Sequence, residues 1–247
     1  MSHKNKNMIK RVINGVFRRI GYTKIDDYQV LQDKANEKWW KSLNVDLVFD
    51  IGASDGGFAR KIKGLYANTE LHSFEALPNS FERLIQRCGE FKNFYPNNIA
   101  LSDKEGEIEF FLCEDSTGSS SMLEMTDIHK QAYPHTAKNK SLKVKSITLD
   151  DYVIKNQLNT ESKTILMKLD VQGAEKIVLN GCENTLKDVN YIFCEINFVE
   201  TYKGCVLFPE LNKMVEDKGF SLVGIENVSI STVDGSYLQA DAFYIKS

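Results

Sequence analysis

Apolar residues recur at positions 8, 9, 12, 13, 16, 17 and 20, the spacing of one helical face, with Lys10, Arg11, Arg18 and Arg19 between them. The pattern predicts a basic amphipathic helix over residues 8–20 that ends near Gly21. A polar stretch follows to Ser42, interrupted by Trp39 and Trp40, which read as packing residues rather than a stacking platform. From Val45 onward, short apolar runs alternate with helical periods, the mark of a parallel sheet covered on both faces. Strands are predicted at 47–49, 70–74, 94–99, 164–169, 191–196, 221–225 and 242–245. Helices are predicted at 56–66, from Pro78 through Phe81, Leu84 and Ile85, at 174–179 and at 208–218. Proline suits a helix start at Pro78, and Gly181 and Gly219 suit two helix ends. Pro96 is an awkward residue within the strand at 94–99. Two further strands, 107–112 and 142–147, form an inserted pair around a polar excursion at 114–140, long enough to serve as a lid.

The expected architecture is a doubly wound α/β domain over residues 43–247, with a mostly parallel seven-stranded sheet, an inserted β-hairpin and an N-terminal helical extension over residues 1–42. A chain of 247 residues with 42% hydrophobic and 26% charged residues supports one sizeable core. The net charge of −3 offers no long-range attraction to phosphate backbones, so a nucleic-acid partner is not expected. Cys88, Cys113, Cys182, Cys194 and Cys205 are odd in number and include no Cys-x-x-Cys pair, which fits reduced thiols in the cytoplasm. No apolar run reaches the roughly 20 residues of a membrane span, and no signal peptide is evident. The basic helix at 8–20 suits peripheral contact with the inner face of an anionic membrane, or packing on the domain or on a second subunit of a homodimer.

The segment Val48-Phe49-Asp50-Ile51-Gly52-Ala53-Ser54-Asp55-Gly56-Gly57 reads as a strand, a glycine-containing turn and a helix start. A dinucleotide fingerprint would place glycine at position 54, where serine stands. Asp50 would repel a pyrophosphate but can accept hydrogen bonds from an ammonium group or a backbone turn. Twenty-five residues later Glu75 ends the second strand, where a carboxylate can take both ribose hydroxyls. Together they describe a site for an adenosyl amino acid, S-adenosyl-L-methionine. The alternative is that the glycines only shape a tight turn and Glu75 caps the next helix.

In sequence order, Asp50-Ile51-Gly52-Ala53, Phe74-Glu75-Ala76-Leu77-Pro78, Ala100-Leu101-Ser102-Asp103, Thr148-Leu149-Asp150-Asp151-Tyr152 and Lys168-Leu169-Asp170-Val171-Gln172-Gly173-Ala174-Glu175 resemble the motifs of the FkbM methyltransferase family. The resemblance implies a Rossmann-like class I methyltransferase fold, S-adenosylmethionine as donor, and usually a hydroxyl acceptor on a sugar or polyketide. It departs at Gln172, where the family usually has glutamate, at Ala76, where proline is usual, and at Ser54, where asparagine is common. Carried onto this chain, the motifs assign cofactor binding to Asp50, Gly52, Ala53, Ser54, Asp55, Gly56, Glu75, Ala76, Ala100, Leu101 and Asp170, with Ser121 of the excursion beside them.

Methyl transfer to oxygen needs a group to receive the acceptor's proton. Asp170, at the end of its strand, is the leading candidate; its alternative role is to cap the helix near Ala174. Glu195 ends the next strand and either replaces Asp170 as base or orients the acceptor or Lys168. His129 and His135 of the excursion are further candidates. Asp170, Glu195 and Asn197 offer oxygens for magnesium, but no metal is expected. The remaining alternative is a non-catalytic module that binds S-adenosylmethionine or a nucleoside.

Overall fold

The computed structural model describes residues 25–247, so the helix read at 8–20 lies outside it. The chain divides into two compact units after Asn44. In the first, α1 (Ile25–Ser42) is helical where the sequence reading had only a polar connection. Few apolar residues mark its period; helix-favouring side chains and the Glu37–Lys41 pair, 2.6 Å apart and one turn along, support it instead. No helix among the described residues is long and apolar enough to cross a membrane.

The second unit carries the chain through β1 (Leu47–Ile51), α2 (Gly57–Leu65), β2 (Glu70–Phe74), α3 (Pro78–Cys88), β3 (Phe94–Asn97), β4 (Ala100–Leu101), β5 (Gly106–Cys113), α4 (Asp127–Ala132) and β6 (Asn139–Ile147). It continues through α5 (Leu149–Lys155), β7 (Ile165–Leu169), α6 (Glu175–Asn180), β8 (Tyr191–Asn197), α7 (Phe208–Glu216), β9 (Phe220–Ile230) and β10 (Tyr237–Lys246). Seven strands form the main sheet in the order β3-β2-β1-β7-β8-β10-β9, and β10 alone runs against the others. β1 and β7 are buried along their whole length, which is why they read as apolar runs interrupted only by Asp50 and Lys168. Phe49, Ile51, Phe74, Met167, Leu169 and Tyr244 belong to the core packed on this sheet. The class I methyltransferase architecture expected from the sequence is the one observed.

Pro96 is accommodated because β3 is the edge strand. The inserted pair is wider than a hairpin: β5 runs antiparallel to β6, and the two-residue β4 adds to β6 in parallel. The unforeseen helix α5 starts inside the Thr148–Tyr152 motif. Thr148 Oγ1 accepts the Asp151 N–H at 2.9 Å, an N-cap that was written in the sequence. The Asp150 carboxylate accepts the Asn184 and Thr185 N–H groups, and Tyr152 OH pairs with His72 Nδ1, so this motif braces the fold.

After β1 the chain winds outward through β2 and β3, whereas after β7 it winds the other way. The carboxyl ends of β1 and β7 therefore flank a switch point, where such sheets leave a crevice.

Candidate active site

The turn after β1 is held in place by backbone bonds: the Gly52 and Ala53 N–H groups donate to Phe74 O at 3.1 and 2.9 Å, and Asp170 N–H donates to Ile51 O. Gly52 has φ +78°, and a Cβ there would lie 1.9 Å from the Asp170 carbonyl oxygen. The two turns thus meet across the switch point at a distance only glycine permits. Ser54 follows at φ +49°, a left-handed position that asparagine tolerates better than serine.

Glu75 leaves the end of β2 and closes this turn. Its Oε2 accepts the Ser54 N–H and its Oε1 accepts the Leu77 N–H, both at 2.8 Å. The carboxyl is 8% exposed and raised above the usual glutamate range, chiefly by burial. Each oxygen keeps a second lone pair.

These turns floor a cavity of about 360 Å³. Gly52, Ser54, Glu75, Ala76, Ala100 and Leu101 line one end, and Asp170, Gln172 and Glu195 lie further along. Thr117, Gly118, Ser120, Met122 and Tyr133 of the excursion line it as well, with Asn227, Ser229, Gln239 and Asp241 from the β9–β10 hairpin.

Other candidates from the sequence stand outside the lining. Asp50 is fully buried, and the ammonium beside it belongs to Lys168, with Nζ 3.4 Å from Oδ1. Lys168 Nζ also donates to Gly52 O at 2.6 Å and lies 3.4 Å from Asp170 Oδ2. Burial works against the lysine's charge, but Asp170 and Asp50 outweigh it and raise Lys168 above the ordinary value. Ala53 is buried, Gly56 precedes α2 with its α-carbon facing Cys88 and Leu84, and Asp55 pairs with Arg87. Ser121 is buried and donates to Gln172 O at 2.8 Å, which fastens the excursion to the turn after β7. His129 is buried between Tyr133 and Tyr202, with its pKa lowered to about 4 by burial, and His135 is exposed.

Asp170 does not cap α6. Glu175 does the local work, accepting the Val171 and Gly173 N–H groups at 3.1 and 3.2 Å. Asp170 has a side chain 40% exposed, and its Oδ1 accepts from Gln172 Nε2 at 2.9 Å. The same Gln172 amide donates to both Glu195 oxygens at 3.1 Å, while Gln172 Oε1 accepts from Tyr202 OH at 2.7 Å. A glutamate at 172 would put a third carboxylate where this amide joins two. Glu195 also accepts from Gln239 Nε2. It is held well above the usual range by burial first and then by Asp170, Glu175 and Asp241. Asn197 lies apart from this group, its Oδ1 accepting from Thr201 at 2.6 Å. Sequence reasoning missed Gln239 and Asp241. They lie on β10, where alternation of apolar and polar residues was the available signal.

The sequence profile of the methyltransferase FkbM domain matches residues 50–222. The chain is 27% identical over 163 residues to 2-O-methyltransferase NoeI of Sinorhizobium fredii, covering 64% of this chain and 66% of that protein, just under two thirds of its length. It is 28% identical over 183 residues to hexuronic acid methyltransferase AglP of Haloferax volcanii, covering 71% of this chain and 69% of that protein. Among solved structures, an rRNA methylase from Streptococcus thermophilus superposes with a TM-score of 0.45 at 9% identity, covering 86% of this chain and 94% of that chain.

Proposed function

The chain belongs to the FkbM family of methyltransferases, and we propose that it transfers a methyl group from S-adenosyl-L-methionine to a hydroxyl of a sugar or glycan. The observation that carries this reading is one cavity with a buried carboxylate, Glu75, at one end and a hydrogen-bonded group of Asp170, Gln172 and Glu195 further along. Of the two curated relatives, one is named a 2-O-methyltransferase and the other a hexuronic acid methyltransferase, which supports an oxygen acceptor on a sugar.

The lining chemistry fits the cofactor. Glu75 has a spare lone pair on each oxygen for the two ribose hydroxyls, and Gly52 and Ser54 bring backbone to the same end. Among the described residues, four carboxylates and no lysine, arginine or histidine line the cavity, which suits a ligand whose ammonium and sulfonium outweigh its one carboxylate and which lacks phosphate. Bound there, S-adenosylmethionine supplies an electrophilic methyl group on sulfur.

In this reading Asp170 receives the proton of the acceptor hydroxyl as the carbon–oxygen bond forms and the carbon–sulfur bond breaks. Its exposure to the cavity and its separate anchoring by Gln172 leave Oδ2, 3.4 Å from Lys168, to face the acceptor. Glu195, whose pKa burial and the neighbouring carboxylates hold well above the usual range, orients the acceptor by hydrogen bonding. Lys168 acts from beneath, fixing Asp170 and the Gly52 turn together. The catalytic unit is residues 43–247.

The test is transfer of labelled methyl from S-adenosylmethionine to glycans extracted from cells, followed by hydrolysis and identification of the labelled sugar. Label recovered as a sugar methyl ether supports the proposal. Cofactor binding without transfer to any glycan would favour a non-catalytic binding module.

A further inference from the structure

Resting on the proposed orientation of the cofactor, the far end of the cavity is the acceptor subsite, and its charge is unusual. Asp241 and Glu195 are directly paired residues of the antiparallel strands β10 and β8, so their side chains leave the same face of the sheet. Like charges placed opposite each other in a sheet cost stability. Both line the cavity together with Asp170. Their hydrogen-bond partners are amides rather than cations: Asn227 Nδ2 donates to Asp241 Oδ2 at 2.8 Å, and Gln172 and Gln239 donate to Glu195.

The nearby cations among the described residues have closer partners than Asp241 and act on it only at longer range. Lys168 is sealed beneath the Gly52 turn between Asp50 and Asp170. Lys61, outside the lining with Nζ 3.9 Å from Glu226, also attracts Asp241 and screens part of its charge. Arg83 donates to Ser80 and Thr117, also from outside the lining.

We propose that this subsite takes a sugar ring that bears no carboxylate, sulfate or phosphate, and that Asp241 is the residue that excludes such rings. A neutral or amino sugar offers hydroxyl or ammonium donors, which Asp241, Asp170 and the amide oxygens can accept. A uronate ring offers a further acceptor to a wall that already carries several. A like charge at about 6 Å across an effective dielectric near 20 weakens binding roughly a hundredfold. The subsite therefore differs in selectivity from that of a hexuronic acid methyltransferase, although a relative of this chain bears that name.

The experiment presents the full chain and labelled S-adenosylmethionine with pairs of methyl glycosides. Each pair comprises a neutral hexopyranose and the uronate of the same configuration. Binding of S-adenosylhomocysteine is measured by calorimetry in parallel, for the wild type and for Asp241→Asn. We expect transfer to the neutral sugar to exceed transfer to the uronate at least about a hundredfold, and Asp241→Asn to narrow that ratio at least about tenfold while still binding S-adenosylhomocysteine. Normal cofactor binding with uronate transfer within about tenfold of the neutral sugar, or a ratio that Asp241→Asn does not move, overturns the charge assignment alone. No cofactor binding and no transfer to either sugar overturns the underlying reading of the site, and the assignment with it.

Discussion

Lys168→Met is the substitution whose consequence follows most directly from the buried charges. Asp50 and Lys168 are register partners on β1 and β7, so the ammonium of one strand sits beside the carboxylate of the next. Asp50 is fully buried; burial raises its pKa, and Lys168 and then Ser73 offset part of that penalty. At the observed 3.4 Å, a charge pair in an effective dielectric of about 20 is worth about 5 kcal/mol before the cost of desolvation. Removing one partner of such a pair typically costs about 3–5 kcal/mol, because the other charge stays buried and alone. Asp170 adds a second charge beside Lys168 at the same 3.4 Å, screened in part by its exposure. Lys168→Met should therefore lower the urea midpoint strongly at pH 8. The loss should shrink at pH 5: with its partner gone, Asp50 has a folded pKa further above its unfolded value, so stability falls as pH rises between the two. The double variant Asp50→Asn/Lys168→Met should recover at least about 1.5 kcal/mol of the loss. Equal losses in the single and double variants, unchanged between pH 5 and pH 8, would refute the pairing and with it the anchoring of the Gly52 turn.

Three further outcomes are expected. Glu75→Ala should weaken S-adenosylhomocysteine binding at least about tenfold by calorimetry, since charge-assisted hydrogen bonds contribute about 1.5–3 kcal/mol each; unchanged affinity would remove Glu75 from the ribose. Gly52→Ala should cost roughly 2–5 kcal/mol in chemical denaturation, because it adds a strained left-handed alanine and a methyl group 1.9 Å from the Asp170 oxygen; a wild-type midpoint would show that the two turns are not in contact. Glu175 is pushed from its ordinary 4.5 to about 7, first by burial, so the folded chain holds its proton more tightly and stability should fall as pH rises from about 4.5 to 7, by at most about 1.4 kcal/mol per unit. Glu175→Gln should flatten that part of the thermal-melting profile, and an unaltered slope would assign the fall to another group.

The main sheet was legible because its central strands are short apolar runs and its helices carry a clear 3.6-residue period, as in β1, β7 and α7. The polar α1 carried no such period, β4 is two residues long, and the outer halves of β9 and β10 alternate through bulges that break the register. At the site, Gly52, Glu75 and Asp170 could be picked out because each ends a strand or begins its turn, and strand ends are where this architecture leaves its crevice. What the sequence did not reveal was which acidic groups face the cavity. Asp50 looked available for a ligand until Lys168, 118 residues later, proved to be its neighbour in the sheet. Asp241 and Gln239 join the cavity only through the antiparallel pairing of β10 with β8, a contact that no local motif announces.

The central claim is that this cavity binds S-adenosylmethionine and uses Asp170 to receive the acceptor's proton. It is tested most directly by the turnover of Asp170→Asn, measured on the sugar that the wild type methylates and paired with the calorimetric affinity for S-adenosylhomocysteine. The variant keeps the shape of the side chain and an oxygen for the Gln172 amide. The account predicts that kcat falls about 10²–10⁴-fold while cofactor affinity stays within about threefold of the wild type. Near-normal kcat with the cofactor still bound would contradict it and would move the proton to Glu195.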